Sequence, residues 1–217
     1  MNVARLLART AATATAAVLA VTAVGATGAS AHGKLGTKSL ASVLTKDTSG
    51  FDRNSRDFDV LTAAVLAVLD AKPASPVKVL TDGKVALTAF VPTDGAFRTL
   101  VADLTDSRHL PSEQQAFTAV AGLGIDTVEA VLLYHVVPGA TIDKRAALKS
   151  DNAKLSTAAG GKVTVDVKRT WYGARYVRLI DADRSDRDPV VVKYDINKGN
   201  KQIAHAVDRV LRPSDLD

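Results

Sequence analysis

The 217 residues contain no cysteine. That excludes disulfides, thiolate metal sites, thiol nucleophiles and a lipid-anchored amino terminus. Exported small domains often use disulfides, so a chain like this one must rely on its core. Aromatic residues are scarce, at 5% of the chain. The formal charge of +5 comes from lysines and arginines scattered among aspartates. With neither a basic stripe nor a ladder of stacking aromatics, nucleic-acid binding is set aside. The sequence also lacks G-x-S-x-G, H-E-x-x-H and glycine-rich phosphate loops, so nothing assembles a nucleophile with its base and orienter. The expectation is a protein that is not an enzyme, with no catalytic residue, cofactor or metal ligand set.

Long apolar runs are equally scarce. The one clear case is Ala11–Val24, preceded by Arg5 and Arg9 and followed by Ala29-Ser30-Ala31. A basic start, an apolar stretch and an A-x-A site form a secretory leader. The stretch falls short of the roughly 20 residues that span a bilayer, and the arginines are not adjacent, so the twin-arginine route is not indicated. Residues 1–31 are therefore expected to be a signal peptide cut after Ala31. The product would begin at His32, carry no membrane span, and be a soluble extracellular monomer, at most loosely associated with the cell wall. Its length suits one domain.

Along the remaining chain, residues 32–38 are expected to be flexible. Ser39–Thr45 suggests a short helix. Asp57 looks like the N-cap of a longer one, because Phe58, Leu61, Val65 and Val68 repeat at helical spacing. Lys72-Pro73-Ala74-Ser75-Pro76 stops that helix. Val85–Val91 reads as a strand apolar on both faces, and Pro92-Thr93-Asp94 opens the next helix, with Thr93 or Asp94 as cap. Ser112 with Gln115, and Asp126 with Glu129, look like reciprocal caps. After Gly139 the period changes to two: Val163, Val165 and Val167; Val177 with Leu179; Val190 with Val192; and a last strand over Ile203–Leu211. Helices first and strands second imply an α+β fold.

Three segments carry a family likeness. Leu87–Phe97 reads LTAFVPTDGAF, Leu133–Gly139 reads LYHVVPG, and Ile203–Leu211 reads IAHAVDRVL. In this order and spacing they resemble the signatures of the fasciclin-type domain, T-x-F-x-P-(T/S)-(N/D)-x-A-F, the Tyr-His segment and I-H-V-I-D-x-V-L. Leu155, Thr157, Gly161, Val163 and Val165 fit the region between. The resemblance spans residues 39–213, leaving 214–217 as a tail. It implies a β-sandwich or wedge capped by several helices, and a role in adhesion rather than catalysis. It also implies partner-binding positions at Tyr134-His135 and Asp195-Ile196. Two departures stand out: Lys201-Gln202 replaces the usual Asn-Gly, and Arg169–Pro189 is a longer, more polar hairpin region.

On a strand, His205 shares a face with Ile203, Val207 and Leu211, which suggests a buried, hydrogen-bonded ring. His135, at a helix end, suggests a corner group that satisfies backbone. Asp181–Asp188 resembles a calcium loop but lacks the required Gly and Glu, so a solvated hairpin with local ion pairs is expected. The expected function is a secreted adhesion or interaction module binding an extracellular protein or cell-wall polysaccharide. Two alternatives remain open. One is a carrier holding a small apolar ligand between helices and sheet. The other is a copper-dependent oxidase, in which an exposed amino-terminal His32 would chelate copper, as in lytic polysaccharide monooxygenases.

Overall fold

A computed structural model describes residues 34–214. The expected leader with its expected cleavage site, His32 and Asp215–Asp217 lie outside the described residues. Helices α1 (Ala41–Leu44) and α2 (Asp59–Ala71) come first, followed by a 3₁₀ turn over Pro76–Thr81. Strand β1 (Leu87–Pro92) then leads into α3 (Asp94–Leu104), α4 (Glu113–Gly122) and α5 (Ile125–Tyr134). The second half holds β2 (Val136–Pro138), α6 (Lys144–Ala147), β3 (Lys154–Ser156), β4 (Lys162–Arg169), β5 (Arg175–Ile180), β6 (Val191–Ile196) and β7 (Gln202–Val207). Among the described residues no single helix is long and apolar enough to cross a membrane.

Two sheets form, ordered β2-β1-β7-β6 and β3-β4-β5. They touch through a bridge between Arg178 and Val190. In the larger sheet β1 runs parallel to β7 and antiparallel to β2. Every residue of β1 and β7 is buried, because each strand faces two cores. Ala89, Val91, Ala204 and Ala206 turn toward the helices, joining Val60, Val68, Leu100 and Leu132. Phe90 and Val207 turn the other way, joining Val163, Val165, Val177 and Leu179 of the smaller sheet. A side-chain period of two sorts the residues between these layers. The result is an α+β wedge of two sheets, one face of which the helices cover.

Local signals held where one element sufficed. Ser112 and Gln115 form a complete capping box, and Thr93 caps α3 by accepting from Ala96 N–H. Elsewhere packing overrode them. Asp57 does not cap α2. The Asp94 carboxylate reaches across from α3 and accepts from the N–H groups of Asp59 and Val60, at 3.0 and 2.8 Å. Asp126 and Glu129 make no cap either, since Gly124 (φ +88°) is the N-cap of α5 and both acids bind Lys72. In β6 Val191 pairs with Val207 and shares its buried face, leaving Val192 outside, the reverse of the expected face; two register irregularities follow. β7 ends at Val207, where its carbonyl accepts from Thr93 N–H.

The segment expected to be a flexible start is tied down where it is described. Gly36 exchanges backbone bonds with Gly199 and Lys201, and Lys38 N–H donates to Asn200 Oδ1. Gln202, fully buried on β7, accepts from Leu40 N–H and donates to the carbonyls of Val79 and Asp82. One amide thus joins the first segment, the 3₁₀ turn and the central sheet. Lys201-Gln202 therefore has its own structural use in place of Asn-Gly.

Candidate functional site

The Tyr134-His135 pair sits where α5 gives way to β2, and its geometry is that of a joint. The His135 backbone N–H turns to Leu132 O in a tightened last turn, and Nδ1–H of the same residue takes up Val131 O at 2.7 Å. Nε2 accepts from Leu211 N–H at 2.8 Å. A carbonyl on one nitrogen and an N–H on the other define the neutral Nδ1–H tautomer. Burial drives the pKa of His135 down to about 4. The Tyr134 hydroxyl donates to Lys162 O at 2.9 Å, and burial raises its pKa. Its ring lies so close to Gly161 that a Cβ there would come within 2.6 Å. That explains the second glycine of the Gly160-Gly161 turn.

Tyr134 is 1% exposed and His135 4%. Both side chains are buried and their polar atoms are bonded within the corner itself, so in this structure neither offers a free surface. Asp195 and Ile196, at the end of β6, are half-buried. Asp195 sits at φ +62°, a conformation aspartate tolerates. Burial pushes its carboxyl up, but the Lys198 ammonium and Lys144 N–H, each at 2.7 Å, outweigh this and hold it low. Its backbone N–H donates to His205 Nδ1, and His205 Nε2–H donates to Ile142 O at 2.8 Å. Ile196 packs on the helix-side core. The structure thus brings His205 and Asp195 together, while the side-chain bonds of Tyr134-His135 run instead to Val131, Lys162 and Leu211.

His135 and His205 have both ring nitrogens committed to backbone groups. Neither is available to accept a substrate proton or to complete a copper site with His32, which lies outside the described residues. For the carrier reading, an open groove of about 610 Å³, bordered by Leu44, Asn54, Phe58 and Ile196, is of ligand size, whereas the enclosed apolar cavities are far smaller. The two apolar cavities beside α5, one lined by Phe97, Leu100 and Val128 and the other by Leu61, Val65 and Phe90, each measure about 20 Å³. Small-molecule sites occupy roughly 300–1,000 Å³.

The segment Asp181–Asp188 is not a solvated loop with local pairs. Its acids fold back onto the chain end: Asp183 meets Arg212 at 3.0 Å with both side chains buried, and Asp186 contacts Arg209 and Arg212. Arg212 N–H donates to Asp181, whose carboxyl is pushed up to about 7 by burial and by the neighbouring aspartates.

The feature that sequence reasoning missed lies at the β4–β5 tip. Trp171, the only tryptophan, is 97% exposed, and Tyr172 beside it is 67% exposed. Their rings meet edge to face with centroids 5.3 Å apart. Directly beneath, Arg169 and Arg175 are paired across the two strands. Like charges facing each other across a ladder destabilise it, and among the described residues no carboxylate forms an ion pair with either arginine. The signal was available: Trp-Tyr-Gly between two strand patterns places large aromatics in a turn, where no core can reach them.

Comparison with known proteins agrees with the architecture. The fasciclin domain profile matches residues 62–213. A search of curated proteins returned no match. Among solved structures, a FAS1 domain pair from the insect cell adhesion molecule Fasciclin I aligns at 13% identity with a TM-score of 0.42. The alignment covers 70% of this chain and 43% of that one. On the family match, which takes in most of the chain, this protein belongs to the fasciclin domain family.

Proposed function

We propose that this protein is a secreted, non-enzymatic adhesion module that grips an anionic cell-wall polysaccharide through the β4–β5 tip. The family supplies the coarse statement, since fasciclin domains are in general adhesion and interaction modules. The observation that carries the finer one is the exposed Trp171-Tyr172 pair standing over Arg169 and Arg175. Two aromatic planes nearly at right angles offer flat apolar faces for the C–H faces of sugar rings, and Tyr172 keeps a polar edge. Arg169 and Arg175, opposite each other in the ladder, add two cations for a carboxylate or phosphate, Arg175 from a guanidinium that also donates to Leu148 O. The tip projects beyond both cores, so occupying it disturbs no packing.

The test is cosedimentation of the secreted protein with purified anionic wall polysaccharide, beside Trp171→Ala/Tyr172→Ala and Arg169→Gln/Arg175→Gln. Both variants are expected to keep the unfolding midpoint, since exposed substitutions usually change stability by no more than about 0.5 kcal/mol. Both are expected to lose binding, and wild-type binding is expected to weaken as salt screens the arginines. Undiminished sedimentation of the aromatic variant would refute the assignment.

A further inference from the structure

Five carboxylates gather where the Asp52–Asp59 segment passes the first turns of α3 and α4: Asp52, Asp57, Asp59, Asp94 and Glu113. Oxygens of Asp57, Asp94 and Glu113 lie within 4.8 Å of one another, and so do oxygens of Asp52, Asp57 and Asp59. Asp57 belongs to both sets. A cluster of acids alone proves little, but three oxygens here stand out. Glu113 is 1% exposed and Asp59 8%, yet Glu113 Oε1 and Asp59 Oδ2 have no hydrogen-bond partner, nor has the buried Oδ1 of Asp57. Burying an acceptor of this kind without a partner is costly.

The surrounding protein does not supply the missing positive charge. Among the described residues no lysine or arginine forms an ion pair with any of the five. Arg98, a cation that acts on Glu113, spends its guanidinium on Pro111 O and Ser55 Oγ. Nearby backbone donors are already in use, because Glu113 Oε2 takes Asp52 N–H and Asp94 takes those of Asp59 and Val60. These bonds fix Glu113 and Asp94 in place, and Glu113 Oε1, Asp59 Oδ2 and Asp57 Oδ1 are left without a donor.

We propose that this cluster is a calcium site, with Asp57, Asp94 and Glu113 as its inner ligands and Asp59 and Asp52 completing the shell toward solvent. Calcium takes 6–8 oxygen ligands at 2.3–2.6 Å, so oxygens that all lie within 4.8 Å of one another can reach a single ion. An all-oxygen, carboxylate-rich set suits a hard cation and not copper or zinc. Magnesium fits less well, because it demands near-octahedral geometry at about 2.0–2.1 Å and holds its water. A bound ion would join α2, α3 and α4 to the Asp52–Asp59 segment, the work a disulfide would do in a chain that has cysteine.

The experiment uses the full chain stripped with chelator, dialysed against radioactive calcium chloride at neutral pH, with thermal unfolding followed in parallel. The expected result is about one calcium per chain at the millimolar concentrations typical of extracellular modules, and a midpoint that rises with calcium and hardly at all with magnesium. Glu113→Gln is expected to lose about tenfold or more in calcium affinity together with the midpoint response. If that variant fails to fold, Asp57→Asn, at a half-exposed position, serves in its place. No saturable calcium uptake, or uptake unchanged in both variants, overturns the site and leaves the carboxylates sharing protons. Neither result bears on the β4–β5 tip.

Discussion

Replacing His135 by alanine tests whether the Tyr134-His135 corner is architectural. At neutral pH the variant leaves Leu211 N–H buried and unpaired, which costs about 1–3 kcal/mol. It also opens a ring-sized gap beside Leu132 and Phe97. Together the loss should be about 3–5 kcal/mol, a large part of the 5–15 kcal/mol typical of a domain. The pH dependence separates this from an ordinary cavity. The folded ring resists protonation down to about pH 4, while in the unfolded chain it takes a proton near its ordinary value of 6.5. Above pH 6.5 both states are neutral and nothing is lost. Between pH 6.5 and 4 only the unfolded state gains the proton, so wild-type stability falls as the pH drops. At 1.36 kcal/mol per pH unit the full loss is about 3 kcal/mol. Alanine cannot titrate, so its deficit against wild type should shrink by that amount across the same window. Other titrating groups, such as Asp94 (pushed up to about 8 by burial and by Asp57), cancel in the difference. Urea unfolding of both proteins at a series of pH values measures it. A deficit that stays constant with pH would refute the buried neutral ring. A measurable turnover abolished by His135→Ala at full stability would make the pair an active site.

Gly161→Ala should cost about 1–3 kcal/mol, because its Cβ meets a Tyr134 ring pinned by the bond to Lys162 O. Gly160→Ala meets open space and should cost only the 1–2 kcal/mol of a left-handed backbone. In a Tyr134→Leu background the first penalty should shrink and the second persist; equal persistence in denaturant titrations would contradict the contact. Arg212→Ala should lower stability by about 3–5 kcal/mol by leaving the buried Asp183 carboxylate without its partner. A midpoint shift under about 0.5 kcal/mol would show that the pair is solvated.

What the sequence determined by itself was whatever depends on near neighbours along the chain. Helical spacing located α2, the Ser112–Gln115 pair located the start of α4, and period-two valines located β4 and β5. Three spaced segments were enough to indicate the family. They also marked His135 and His205 as buried groups, because an imidazole among apolar neighbours must find backbone partners. Tertiary structure decided everything that needed a second element. Asp94 rather than Asp57 caps α2 because α3 brings its carboxylate across the gap. Val191 rather than Val192 points inward because β6 pairs Val191 with the buried Val207 of β7. Tyr134 and His135 turned inward because the α5–β2 joint, Lys162 and Leu211 use up their polar atoms. The two candidate surfaces depend on the same step. Arg169 faces Arg175 only once β4 pairs with β5, and Asp57 meets Glu113 only once three helix starts converge. Spacing along a chain specifies periodicity and caps, whereas charges and hydrogen-bond partners far apart in sequence meet only when the layers pack.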